Sequence, residues 1–150
     1  MEAVRLLKEL PEQYELVMIG TGALDGELMK EIGSVHCQHR VKRLLQIPNS
    51  QMYEYYRACD YFVNFNRHEI FGMSILEAMM SGSTVLAYHA PGPDEIIADA
   101  RYGVLVDSIL EMKQYILSGK RCDEESVREY VQQHFAWERT ASIVQKWIQG

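Results

Sequence analysis

Apolar residues along this chain alternate between a helical and an extended rhythm. Residues 2–9, EAVRLLKE, have helical spacing and stop before Pro11, which a helix interior excludes. Tyr14 to Gly20 reads as a buried strand running into a Gly20-Thr21-Gly22 turn, followed by a helix from about Leu24 to Ile32. Val41 to Ile47 predicts a short strand closed by Pro48-Asn49-Ser50, which supplies a cap for a helix over 51–58. The β-branched and aromatic run Tyr61 to Phe65 predicts another strand. From about Gly72, the residues Ile75, Leu76, Met79 and Met80 recur at helical spacing until Gly82 ends the helix. A strand over 83–88, a breaker-rich turn at 89–93, a short helix over 93–98 and a strand over 103–106 follow. Three helical segments close the chain, near 108–118, 123–133 and 137–149. Trp137 and Trp147 are expected to dock the last of them.

Strand and helix alternate through most of the sequence, which predicts a doubly wound α/β fold: a mostly parallel, Rossmann-like sheet covered on both faces, with right-handed crossovers. Its 150 residues fit one domain, with no internal repeat or linker. The net charge of -6 argues against a nucleic-acid partner. Three cysteines without CxxC spacing support neither a disulfide framework nor a zinc cluster and fit a reducing cytoplasm. His36 and His39 read as exposed loop histidines, and no apolar run is long enough to span a bilayer. Peripheral membrane contact stays open.

The stretch NRHEIFGMSILEAMMS, residues 66–81, concentrates the candidate chemistry. Ligands of open α/β sheets bind outside the carboxyl ends of the strands, and this stretch follows one. A glycine in the first turn of a helix leaves the free backbone N–H groups unobstructed, and with the helix dipole these favour a phosphate. Glu69 and Glu77 repel phosphate but accept hydrogen bonds from hydroxyls. Carboxylates flanking an anion site therefore suit a diphosphate with sugar groups on both sides. By spacing alone, Glu69 also fits a solvated loop acid and Glu77 an exposed helix acid. The Gly20-Thr21-Gly22 turn lacks the third glycine of a GxGxxG fingerprint and reads first as a tight turn.

The ordered segments LVMIGTG, YEYYRACDYFVNF, HEIFGMSILEAMMSGSTVLAY, PGPDEII, GVLV and FAWERTA span almost the whole chain. In this order, with an E-x7-E pair at Glu69 and Glu77, they resemble the C-terminal, donor-binding domain of family 4 retaining glycosyltransferases of the GT-B architecture. The resemblance implies transfer of a sugar from a nucleoside diphosphate sugar to a glycan or lipid acceptor, with retention, without a metal or other cofactor, in the cytoplasm or at the inner face of a membrane. It places Glu69 at the donor sugar, Phe71, Gly72, Met73 and Ser74 at the diphosphate, and Glu77 at the ribose hydroxyls, with Gly20 and Gly22 lining the same cleft. PGPDEII departs from the usual GG-x-P-E form, and Glu95 aligns with its acid. The resemblance also implies that an upstream strand carrying Arg and Lys, and an N-terminal acceptor domain, lie outside these residues. The expected consequences are weak donor binding, no turnover, and either an altered strand pairing or a partner, including a second copy, across the incomplete sheet. Two alternatives are a non-catalytic nucleotide-binding or interaction module and a GT-B nucleotide-sugar epimerase fragment.

Overall fold

The computed structural model describes the backbone of residues 1–34 and 36–149, and their side chains except at 140, 143, 144, 147 and 149. The elements run α1 (Glu2–Glu9), β1 (Leu16–Ile19), α2 (Asp25–Ser34), a 3₁₀ turn (Gln38–Arg40), β2 (Val41–Leu44), α3 (Asn49–Ala58), β3 (Tyr61–Asn64), α4 (Met73–Ser81), β4 (Thr84–Tyr88), α5 (Pro91–Ile96), β5 (Val104–Val106), α6 (Ile109–Leu117), α7 (Glu124–Phe135) and α8 (Trp137–Gln149). Every strand pair is parallel. The five strands do not form one sheet: β1 pairs with β2, and β3, β4 and β5 pair in that order. Among the described residues no ladder joins β1 to β3.

The central strand β4 is buried along its whole length and shows why the fold is doubly wound. Successive strand residues point to opposite faces. Val85 and Ala87 accordingly join Ile75 and Met79 of α4, Ile96 of α5 and Val127 of α7 on one face. Leu86 and Tyr88 join Leu6 of α1 and Met112 and Ile116 of α6 on the other. Gly82, at φ 94°, ends α4 in the left-handed conformation that glycine adopts without strain.

Helix α1 bridges the break. Leu6 and Leu10 belong to the core of the three-stranded sheet, whereas Val4 and Leu7 pack with Leu28, Ile32, Leu16, Met18 and Val41 on the two-stranded side. Tyr88 Oη donates to Glu2 Oε1 at 3.0 Å, tying the start of α1 to the end of β4.

Several expectations need correction. The strand expected at Tyr14 to Gly20 is shorter and only half-buried at all four positions. Among the described residues it has a neighbouring strand on one flank only, and Val17 and Ile19 join none of the apolar clusters. Strand β2 stops at Leu44, and α5 starts at Pro91 because proline is preorganised for a helix's first position. Pro48, rather than a capping side chain, precedes α3. Trp137 is 77% exposed, so it does not dock α8, and the side chain of Trp147 lies outside the described residues. The reading of His36 and His39 as exposed needs no correction: both are exposed, His36 in a turn at φ 55° and His39 in the 3₁₀ turn, 3.1 Å from Glu12.

Candidate functional site

Strand β3 leads into a turn built by two asparagines. Asn64 Oδ1 accepts from Asn66 N at 2.7 Å, and Asn66 Oδ1 accepts from His68 N at 3.0 Å. Such side chain-to-backbone bonds replace a ladder with a tight local loop. Asn66 Nδ2 then donates to Glu69 Oε2 at 3.3 Å, so the same residue that shapes the loop holds the half-buried carboxylate. The Arg67 guanidinium carbon lies over the Tyr88 ring, 3.7 Å from its centroid, and Nη2 donates to Asp107 O at 2.8 Å.

After Glu69 come the exposed Ile70 and Phe71 and the buried Gly72, the N-cap of α4. Gly72 has φ 97° and ψ 51°, a left-handed conformation that disfavours any residue with a Cβ. A Cβ there would also lie 3.0 Å from Ile75 Cδ1 and 3.5 Å from Glu69 Cγ. Among the described residues no side chain caps the helix. The first intrahelical bonds reach Gly72 O from Ile75 N and Leu76 N, and among the described residues no protein acceptor meets the amides of Met73 or Ser74. The end of α4 thus presents free N–H groups and the positive pole of the helix dipole.

Ser74 and Glu77, three residues apart, share one half-buried stripe of α4. Glu77 Oε2 accepts a 3.2 Å hydrogen bond from Tyr56 Oη on α3, which fixes the carboxylate and leaves Oε1 for another donor. Burial, and then the Glu77 charge and hydrogen bond, push the Tyr56 phenol up to about 12 from 10.0. Folded Tyr56 therefore holds its proton more tightly than the unfolded chain, and its contribution to stability is complete below pH 10.0 and lost as pH rises towards about 12. Tyr61, Tyr88, Tyr115 and Tyr130 are shifted upward too, chiefly by burial. Denaturant midpoints measured across that alkaline window are expected to fall for the wild-type chain and to fall less steeply for Tyr56→Phe; parallel curves would show that Tyr56 has no part in the loss.

A second turn completes the rim. Gly92 N donates to Glu69 O at 2.9 Å, joining the start of α5 to the Glu69 loop. A Cβ on Gly92 would stand 2.6 Å from Phe71 C and 2.7 Å from Phe71 N, so only glycine permits this approach. His89 Nδ1 lies 2.7 Å from Asp94 Oδ1 within the same turn.

The structure therefore brings Glu69, Phe71 and Gly72 together, with Met73, Ser74 and Glu77 following on α4. Gly20 and Gly22 are exposed at the end of β1, which pairs with β2, with nothing within 4 Å of a Cβ on either, and Gly22 N donates to Asp25 Oδ1 at 3.1 Å. Spacing missed Tyr56, Asn64, Asn66 and Gly92. The breaker-rich turn marked Gly92's loop without showing what it touches. A cavity of about 410 Å³ lined by Arg101, Tyr102, Arg121 and Tyr130 opens beside the residues that precede β4 and β5, at the opposite end of the strands. Its two arginines are paired with Asp99 and Asp60. Among the described residues, no group of three or more His, Cys, Asp or Glu is placed to hold a metal.

Residues 1–121 match the family model described as glycosyl transferases group 1. The chain belongs to that family. This glycosyltransferase domain is 30% identical over 100 residues to the alpha-monoglucosyldiacylglycerol synthase of Streptococcus pneumoniae, a match covering 67% of the chain but 22% of that relative. Its fold matches the Anabaena Alr3699/HepE structure in complex with UDP-glucose (TM-score 0.85, 23% identity, 99% of this chain and 44% of the other). It also matches the C-terminal domain of the Francisella tularensis glycosyl transferase group 1 protein LpcC (TM-score 0.73, 25% identity, 91% and 76%). The architecture is the C-terminal, Rossmann-like half of a GT-B glycosyltransferase. No helix among the described residues is long and apolar enough to cross a membrane.

Proposed function

We propose that this domain binds the nucleoside diphosphate sugar donor of a retaining glycosyltransferase. The observation that carries the reading is the uncapped amide end of α4 at Gly72, with a held carboxylate on each side. The amides of Met73 and Ser74, beside Phe71 and Gly72, take the diphosphate. Glu69, oriented by Asn66, faces the donor sugar, and Glu77, oriented by Tyr56, takes the ribose hydroxyls. Gly20 and Gly22, across the break, border the cleft without touching the ligand. No metal is required in this scheme, since helix N–H groups stabilise the leaving diphosphate. HepE bound to UDP-glucose supports a nucleotide-sugar donor, and a relative named for making a glucosylated diacylglycerol supports a lipid among the acceptors.

Because the chain spans 22% of that relative's length, we assign acceptor binding and transfer to the longer assembly, and donor binding without turnover to these 150 residues. The open flanks of β1 and β3 are where the rest of that assembly, or a second copy, adds a strand. Calorimetric titration with UDP, GDP, ADP and TDP and their sugars tests the donor assignment. One nucleotide is expected to bind, and Glu77→Ala is expected to weaken it by about tenfold when no sugar is attached, more than Glu69→Ala does. No binding by any nucleotide would end the reading, and equal effects would end the division of roles.

A further inference from the structure

The donor site as described contains two carboxylates and no basic side chain, although its ligand carries a diphosphate. The turn fastened to it does contain one. His89 directly follows β4, and its Nδ1 lies 2.7 Å from Asp94 Oδ1 in the first turn of α5. Both side chains are about half-exposed (49% and 48%), so this is a surface-facing ring held from one side. An ionised carboxylate only accepts, so Nδ1 is the donor in this contact. Nε2 is thereby the nitrogen left for a ligand.

The location follows from the backbone. Gly92, midway between His89 and Asp94, donates to Glu69 O at 2.9 Å and packs against the main chain of Phe71. The His89–Asp94 turn and the Glu69–Gly72 turn are thus one rim. Glu69, Asp94 and Glu95 make that rim acidic, and an anion seated there needs a compensating cation. Of the basic side chains on the two turns, Arg67 is stacked on Tyr88 and bonded to Asp107 O. His68 is exposed at the start of its loop, and among the described residues no carboxylate holds its ring. Of these three, His89 is the one that a carboxylate orients through one ring nitrogen while, among the described residues, the other nitrogen meets no protein group.

We propose that His89, oriented by Asp94, is a donor-contacting residue that in its imidazolium form donates from Nδ1 to Asp94 and from Nε2 to the diphosphate. This rests on the nucleotide-sugar reading above. His89 supplies charge from outside α4, where the helix amides supply only partial charge. Asp94 is a positioning residue: it fixes the ring and leaves the ligand untouched.

The test uses the intact 150-residue chain and the nucleoside diphosphate that binds it best, compared with the same nucleoside lacking phosphates. His89→Ala is expected to weaken diphosphate binding by about tenfold while changing nucleoside binding less than about twofold. His89→Gln, whose amide keeps one N–H donor, is expected to recover part of the loss, and Asp94→Asn to give a smaller loss confined to the diphosphate. Unchanged diphosphate affinity in His89→Ala would overturn the proposal. So would an equal loss for diphosphate and nucleoside, which would mark a merely structural role. If the wild-type chain binds no nucleotide, the donor reading itself fails; if it binds and the substitutions do nothing, only the His89 assignment does.

Discussion

Gly92→Ala is expected to unfold at a markedly lower temperature than the wild-type chain and to lose nucleotide binding with it. The added methyl group would meet Phe71 O, C and N, and these are main-chain atoms that no rotamer change can move aside. Either the α5 turn or the Glu69 loop must shift, and either shift breaks the Gly92 N to Glu69 O bond. Overpacking of this kind costs about 2–3 kcal/mol, which for a chain of this size lowers the melting temperature by about 5–10 °C. Differential scanning calorimetry reads the first effect and nucleotide titration the second. Melting within a degree of wild type would mean that the two turns are not in contact.

Arg40→Ala is expected to cost about 3 kcal/mol, because the side chain is 5% exposed and its guanidinium serves several main-chain acceptors at once. Nε donates to Tyr14 O at 2.9 Å, and Nη2 donates to Leu10 O at 3.2 Å and to Pro11 O at 2.8 Å. Nη1 lies 3.7 Å from Glu12. Together these contacts fasten the segment between α1 and β1 to the turn that starts β2. Alanine removes the guanidinium from three carbonyl groups, of which Pro11 O keeps its bond from Tyr14 N, whereas lysine can restore some of the hydrogen bonds but cannot reproduce the planar fork, so Arg40→Lys should fall between the two. Urea midpoints at constant slope measure the series. A loss below about 1 kcal/mol for Arg40→Ala would show that water replaces the guanidinium at those carbonyls.

Where a feature of this chain is periodic, its sequence announces it. The strand β4, the apolar stripe of α4 and the glycine that ends α4 all have local causes, and each is found where the sequence pattern places it. The half-buried β1 shows the limit. An apolar run such as LVMI reads as a strand covered on both sides, but coverage depends on neighbours that the run itself does not encode. Trp137 carries the same lesson, since a large ring on an amphipathic helix signals a buried face only if the chain offers a surface to bury it. The candidate site was legible in Glu69, Gly72 and Glu77 because their spacing reflects a turn entering a helix. The groups that hold those acids, Asn66 and Tyr56, follow no spacing rule and come from a loop and from another helix. Arg40, which no local pattern singles out, is a buried clamp whose three acceptors lie 26 to 30 positions away.

The double seat of α1 has a mechanical consequence. Val4 and Leu7 rest on one sheet while Leu6 and Leu10 rest on the other, so a tilt of the helix towards either sheet would strain its packing on the other. Glu2 is bonded to Tyr88, Tyr88 lies under Arg67, and Arg67 stands two positions before the carboxylate assigned to the donor sugar. The flank of β1 and that carboxylate, though in different sheets, are therefore joined by one unbroken line of contacts.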